Sequence, residues 1–247
     1  MRISDKERFL KLWKKYFNNA ELPITFYYTD EEVSVKPGSG SRCVIGALAK
    51  VRNGITLCFN ADSIGCFGGR RYLGFAREIM PDFEYFLSCG IPGKLTGERY
   101  KKSPELVKDT MKYLPEFHAL GRFIVFKRWD MLEKSDNPEV VVFFASPDVL
   151  SGLFTLANFD EAEHNAVFAP FGSGCSTIVQ YPYLERNSDR PRGVIGMFDV
   201  SARPFVPSNV LTFSVPVNKF TTMIDNMEES FLITDSWARV KKRIHKA

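Results

Sequence analysis

The chain has 247 residues, a formal net charge of +4, 45% hydrophobic and 25% charged residues, which is the composition of an ordinary soluble globular protein with room for a sizeable core. No apolar run is long enough to span a membrane, and the first residues lack a signal-peptide pattern, so we expect a cytoplasmic protein without a membrane partner. The basic residues near the two ends are typical of solvated helix faces and accompany no recognisable nucleic-acid-binding module, so we expect no nucleic-acid partner.

The first half of the chain predicts alternating helices and strands. The capping-box pattern Ser4-x-x-Glu7, followed by apolar residues at helical spacing, predicts an amphipathic helix over 5–17. Next come a strand at 22–28 and a glycine-rich loop at 35–40. The other predicted elements are a helix at 43–51, a strand at 55–59, a helix beginning near Arg70 or Arg71, a short helix and turn at 84–93, a helix opening at Ser103-Pro104, a strand at 123–126 and a helical turn at 129–132.

The polar, breaker-rich loop 134–138 is the best candidate boundary, so we predict an N-terminal half, 1–136, and a C-terminal half, 137–247. The continuous apolar run 140–145 predicts a central strand. The second half also predicts strands at 194–198 and 211–215, and helices at about 147–157, after 172–175, around 217–227 and at the end of the chain. The predicted fold class is α+β, with two related mixed α/β halves packed as one globular unit.

The two halves repeat one plan. Each has an apolar strand, a Ser-x-Cys pattern at a helix start, a glycine-led strand, a turn with arginine, and a strand leading into a short helix. The Ser-x-Cys patterns are Ser41-Arg42-Cys43 and Ser173-Gly174-Cys175. Either the chain is an internal duplication, or two unrelated sub-sheets use the same common turns. A duplication predicts a pseudo-twofold axis that brings Cys43 and Cys175 towards one crevice.

Of the five cysteines, Cys43 and Cys175 lie where helices are predicted to begin, and Cys66 lies in a glycine turn just before another predicted helix. Helix N-termini stabilise thiolates, which suggests metal or cluster ligation or thiolate redox chemistry. The alternative is that these cysteines are small buried hydrophobic residues, as we expect for Cys58 and Cys89. Because no Cys-x-x-Cys spacing occurs, a zinc ribbon or a ferredoxin-type cluster has little support.

Two glycine turns, 65–71 and 171–177, offer backbone N–H groups that suit a phosphate or a carboxylate, although such turns are also common without any ligand. Neither matches a Walker or dinucleotide-binding motif. Asp199 and Arg203, at a strand end, are expected to form a structural ion pair. The candidate cofactor-binding residues are Cys43, Cys66, Gly68, Gly69, Arg70, Ser173, Gly174 and Cys175, and the candidate metal ligands are Cys43, Cys66 and Cys175. The cofactor and any catalytic residue remain unidentified.

Several short motifs occur in a characteristic order: Arg42-Cys43, Cys66-x-Gly68-Gly69 with Leu73-Gly74, the run 140–147 before Leu150, Gly174-Cys175, and 211–216. This order resembles an uncharacterised family, domain of unknown function 169, found in archaea and anaerobic bacteria. The resemblance covers most of the chain. It departs at Leu22-Pro23-Ile24-Thr25, where the family tends to have a Pro-Pro-Val-Ala type of strand. It implies no known reaction.

Two classes of function follow. The first is a binding or redox protein that holds a small-molecule or anionic ligand, or a cofactor, in a cleft between the halves, lined by the three cysteines. It predicts that the three sulfurs share one cavity. A metal or iron–sulfur protein is a separate alternative to it. The second is a non-enzymatic homodimeric scaffold whose cysteines only pack. Whether the protein is an enzyme is left open by the sequence.

Overall fold

The computed structural model of the protein describes residues 3–18, 20–31, 33 and 43–244. The predicted loop at 35–40 and Arg42 lie outside the described residues. In the N-terminal half the elements are α1 (Ile3–Phe17), β1 (Ile24–Thr29), α2 (Val44–Arg52), β2 (Leu57–Phe59), α3 (Phe67–Tyr72), α4 (Phe83–Phe86), α5 (Pro104–Met111), β3 (Phe123–Arg128) and a 3-10 turn (Trp129–Met131).

The C-terminal half contains β4 (Val140–Ala145), α6 (Pro147–Ala157), β5 (Val167–Phe168), a π-helical segment (Ser176–Gln180) that continues into α7 (Tyr181–Glu185), β6 (Gly193–Gly196), a 3-10 turn (Arg203–Phe205), β7 (Leu211–Pro216), α8 (Val217–Asn226), a 3-10 turn (Phe231–Ile233) and α9 (Asp235–Lys241). The helix that contains the π-helical segment begins at Gly174. This mixture of helices and strands confirms the predicted α+β class.

The seven strands of the described residues form one mixed sheet in the order β2-β3-β1-β4-β7-β6-β5. Neighbouring strands are antiparallel except β5 and β6, which are parallel. The apolar strand β4 is central and buried along its whole length, as predicted. Because β1 pairs with β4, the sheet crosses the predicted boundary between the halves. Two strands lie beyond β1 on one side and three lie beyond β4 on the other, and the duplication itself stays a prediction.

One predicted helix start is wrong. The sequence placed the start of α3 near Arg70 or Arg71, but α3 begins at Phe67 and ends at Tyr72. The Cys66 sulfur caps it by accepting a hydrogen bond from the Gly69 N–H at 3.1 Å. Thiols are not among the common N-cap groups, so the pattern carried no recognisable start signal. By contrast, Ser103 caps α5 as predicted, accepting a hydrogen bond from the Leu106 N–H.

The sheet carries a separate hydrophobic core on each face. Successive residues of a strand point to opposite faces, so β4 sends Val141 and Phe143 into one core and Val142 and Phe144 into the other. The first face is covered by α1, α6, α8 and α9, and the second by α2 and α7. The described helices include none that is long and apolar enough to cross a membrane.

Residues 76–114, which we call the covering lobe, lie between α3 and β3 and contain α4 and α5. All of its residues are described, and none of them belongs to either core. The lobe has its own backbone hydrogen bonds, such as Glu98 N to Phe86 O at 2.7 Å, and at its base Ala119 N donates to Gly74 O at 2.9 Å. It therefore folds over the second face without merging into the core.

Candidate functional site

A cavity of about 510 Å³ lies between the covering lobe and the helical layer of the second face. Both halves of the chain contribute to its wall. The N-terminal half supplies the start of α2, the turn before α3 and the lobe, and the C-terminal half supplies residues 170–175 and 198–202. Most of the wall is aromatic or aliphatic: Ile45, Phe67, Tyr72, Ile79, Met80, Phe83, Phe86, Leu87, Val107, Met111, Leu114, Phe171, Phe198 and Val200.

Seven of the eight predicted site residues line this cavity: Cys43, Cys66, Gly68, Gly69, Ser173, Gly174 and Cys175. Arg70 is not on its wall. Arg70 is exposed, and its Nε donates to the Ile64 carbonyl at 2.8 Å, while the next residue, Arg71, lines the cavity. Neighbouring residues of a helix point about 100° apart because 3.6 residues make one turn. Arg71, rather than the predicted Arg70, therefore faces the cavity.

Two glycines let the three cysteine-bearing segments meet. A Cβ added at Gly69 would lie 2.8 Å from Cys66 Sγ and 3.1 Å from Val44 Cγ2. A Cβ added at Gly174 would lie 3.2 Å from Ile45 Cγ1. Both glycine turns thus press against the first turn of α2, which follows Cys43. These positions need glycine because a side chain would push the segments apart.

The cysteines differ in their surroundings. Cys43 and Cys66 occupy the N-cap positions of α2 and α3 and are partly exposed. Cys175 lies in the first turn of its helix and is buried. Burial raises the pKa of the Cys175 thiol well above its ordinary value, and negative charge on Cys66, Cys43 or Asp199 raises it further. The expectation of a thiolate at Cys175 is therefore wrong, because the loss of hydration raises the thiol pKa more than the helix N-terminus lowers it.

The other two cysteines lie away from the cavity wall. Cys58 is buried in β2, as expected, and burial raises its pKa to about 11. Cys89 was expected to be buried, but it is exposed in the covering lobe. All five cysteines lie among the described residues, and their sulfurs are thiols rather than disulfides. The described part of the chain contains no group of three or more His, Cys, Asp or Glu residues arranged to hold a metal ion, so metal ligation by the three cysteines stays a prediction.

Asp199 has a role that the sequence analysis missed. Its Oδ2 accepts a hydrogen bond from the Gly174 N–H at 3.0 Å, and its Oδ1 accepts from the Ser201 N–H at 3.0 Å and the Ser201 hydroxyl at 2.7 Å. Arg203, the partner expected from the sequence, donates instead to backbone carbonyls, including that of Ser208 at 2.7 Å. The Asp-x-Ser pattern is typical of an Asx turn, a local signal that could have indicated the contact with Ser201.

Arg71 is the second residue that the prediction missed. It is half-buried on the cavity wall, and its Nη1 donates to the Arg77 carbonyl. Its Nε is buried and has no hydrogen-bond acceptor, and within 43–244 and the other described residues Arg71 takes part in no ion pair. A guanidinium that lacks a counter-charge is thus part of an otherwise mostly apolar wall.

These features define a class of protein: an α+β fold with helices on both faces of a mixed sheet, and a cavity of small-molecule size lined by thiols and glycine turns. The model of the family DUF169, described as "Uncharacterised ArCR", matches residues 14–226. The chain belongs to this family, which confirms the resemblance drawn from its short motifs. No curated protein and no solved structure matches the chain.

Proposed function

We propose that the protein binds a small organic ligand or cofactor with a mainly apolar body in the cavity beneath the covering lobe. The observation that carries this proposal is the convergence of both glycine turns, three cysteines and the lobe around one volume of about 510 Å³. Binding sites for small molecules occupy about 300–1,000 Å³ and have mostly apolar walls with a few polar groups. This cavity has that size and that lining.

The residues of the cavity wall have different roles in this proposal. Aromatic and aliphatic side chains such as Phe83, Phe86 and Met111 remove the ligand body from water, which stabilises the complex in proportion to the apolar area buried. Cys66, partly exposed on the wall, offers a thiol to the ligand. Cys175 stays a neutral thiol because of its burial. The Asp199 carboxylate holds the 171–175 turn in place through Gly174.

A cavity-filling substitution tests the proposal. Thr110 lies on the wall, and its hydroxyl donates to the Leu106 carbonyl at 2.8 Å. Thr155 makes the same contact with the Ser151 carbonyl at 2.9 Å on α6, which packs on the opposite face. We expect the neutral fluorescent probe N-phenyl-1-naphthylamine to bind the wild type saturably. Thr110→Trp should weaken binding at least about tenfold, the loss of roughly 1.4 kcal/mol of contact, and Thr155→Trp should leave it unchanged.

Two results would contradict the proposal: no saturable binding by the wild type, or equal binding by the Thr110→Trp and Thr155→Trp variants. Mass spectrometry of a solvent extract of the purified protein adds an independent measurement. A small molecule that copurifies with the wild type and is depleted in Thr110→Trp, but not in Thr155→Trp, would identify the natural ligand.

A homodimeric scaffold is a second candidate, favoured by apolar side chains that surround the cavity and remain exposed. Phe67, Phe171 and Phe198 are each more than half exposed, as is Val200. A second copy of the chain would cover this surface. Sedimentation velocity distinguishes the candidates. A wild-type dimer that Phe171→Ser disrupts, together with failure of probe binding, supports the scaffold. A wild-type monomer excludes it.

A further inference from the structure

Three backbone donors of the two glycine turns are already used by the protein itself. The Gly69 N–H donates to Cys66 Sγ, the Gly174 N–H to Asp199 Oδ2, and the Ser176 N–H to Ser173 Oγ at 3.1 Å. A hydrogen-bond donor that is already satisfied gains little from a new acceptor. These three donors therefore hold the turns in shape, and the negative group of a ligand would gain most from a charged side chain as its partner.

Arg71 is that partner. Its guanidinium has five N–H donors in a planar fork, which suits the two oxygens of a carboxylate or a related oxyanion. One nitrogen, Nη1, holds the Arg77 carbonyl, and Nε is buried with no acceptor, so a ligand would meet the fork at its Nη1 and Nη2 edge. The surrounding wall is mainly apolar, and a low local dielectric strengthens the attraction between a cation and an anion.

Two carboxylates, Glu78 and Asp199, also lie on the wall and limit the charge of the ligand. Three hydrogen bonds from Gly174 and Ser201 hold Asp199 and satisfy both of its oxygens. Glu78 is exposed, and none of the ion pairs among the described residues joins it to Arg71. A second negative charge on the ligand would meet these carboxylates at close range, where like charges repel.

We infer that the ligand carries a single oxyanion, of which a carboxylate is the simplest, and that Arg71 binds it while the apolar wall holds the rest of the molecule. The inference rests on the proposed function of the cavity. It also moves the anion-binding role from the predicted Arg70 and glycine turns to a residue outside the predicted set.

Two probes with nearly the same aromatic body test whether Arg71 binds the oxyanion. One is 1-anilinonaphthalene-8-sulfonate, which carries one sulfonate, and the other is the neutral N-phenyl-1-naphthylamine. Arg71→Met removes the proposed partner. Arg70→Met is the matched control, because Arg70 also donates to a backbone carbonyl but does not line the cavity. Arg71→Lys retains the charge without the planar fork. The melting temperature of each variant confirms that it is folded.

We expect the wild type to bind the sulfonate more tightly than the neutral probe. Arg71→Met should weaken sulfonate binding about tenfold to a hundredfold, the usual effect of losing a charged hydrogen bond, with less than about a threefold change for the neutral probe. The affinity of Arg71→Lys for the sulfonate should lie between those of the wild type and Arg71→Met, and the affinity of Arg70→Met should equal that of the wild type. If the neutral probe binds but Arg71→Met and Arg70→Met affect the sulfonate equally, the inference is wrong and the cavity proposal stands. If neither probe binds saturably, both are wrong.

Discussion

The two faces of the sheet share their strands but are covered in different ways. On the first face, α1 and α8 pack large aromatic side chains directly on β4: Trp13, whose ring stacks on Phe17 at 4.2 Å, lies 5.1 Å from Phe143, and Phe220 lies 5.8 Å from it. On the second face the cavity separates the covering lobe from the helical layer beneath it. The difference indicates that the first face supplies stability and the second supplies a place for a ligand.

The largest expected effect comes from truncating an aromatic side chain on each face. Phe143→Ala removes a ring that is 1% exposed and packed against Phe9, Trp13 and Phe220, so it should lower the free energy of unfolding by about 3–5 kcal/mol. Phe83→Ala removes a half-buried ring from the cavity wall and should cost about 1 kcal/mol or less. Urea unfolding measures both. Equal losses would show that the two faces do not differ as we infer.

A smaller effect is expected from two neighbouring glycines on the cavity wall. A Cβ at Gly69 would lie 2.8 Å from both Cys66 Sγ and Ile64 Cγ2, so Gly69→Ala should cost about 1–3 kcal/mol through overpacking. At Gly68 the nearest contact would be Tyr72 at 3.8 Å, so Gly68→Ala should stabilise α3 by up to about 1 kcal/mol. Thermal unfolding shows whether each substitution stabilises or destabilises the protein. Destabilisation by both changes would contradict the close approach at Gly69.

The smallest effect concerns the pH dependence of stability on the second face. Because burial raises the pKa of Cys175, its folded-state thiol stays protonated when the unfolded chain begins to ionise near pH 8.5. The unfolded state then binds fewer protons, so the contribution of Cys175 is complete below about pH 8.5 and decreases at higher pH. Cys175→Ala should flatten the decline in unfolding free energy between pH 8 and 9.5. Identical slopes in the two proteins would argue that Cys175 is not buried.

Thiol labelling near neutral pH provides a check on the same assignment, because the native thiols differ in exposure. Cys89 is exposed and should react first, followed by the partly exposed Cys66, with Cys175 reacting only on unfolding. Peptide mass spectrometry after timed labelling gives the order. Early labelling of Cys175 would contradict its buried position.

Local patterns predicted much of the fold. The helical spacing of apolar residues in α1, the Ser103-Pro104 start of α5 and the apolar run of β4 all depend on neighbouring residues, and all three elements are present, although α1 begins at Ile3, one residue before the predicted cap Ser4. The sequence could not distinguish Arg71 from Arg70, because which of them lines the cavity depends on how α3 packs against distant segments. The bond between Asp199 and Gly174 joins residues 25 positions apart, so no local pattern could indicate it.

By itself, the sequence determined the class of fold, the central strand, and the segments that supply cysteines and glycines to the cavity, because periodicity and capping act over a few residues. Only the tertiary structure decided which arginine lines the cavity, that the Cys175 thiol is desolvated, and that the covering lobe stands apart from both cores. These properties depend on burial and on contacts between distant segments, and the chain acquires them only when the strands of both halves join in one sheet.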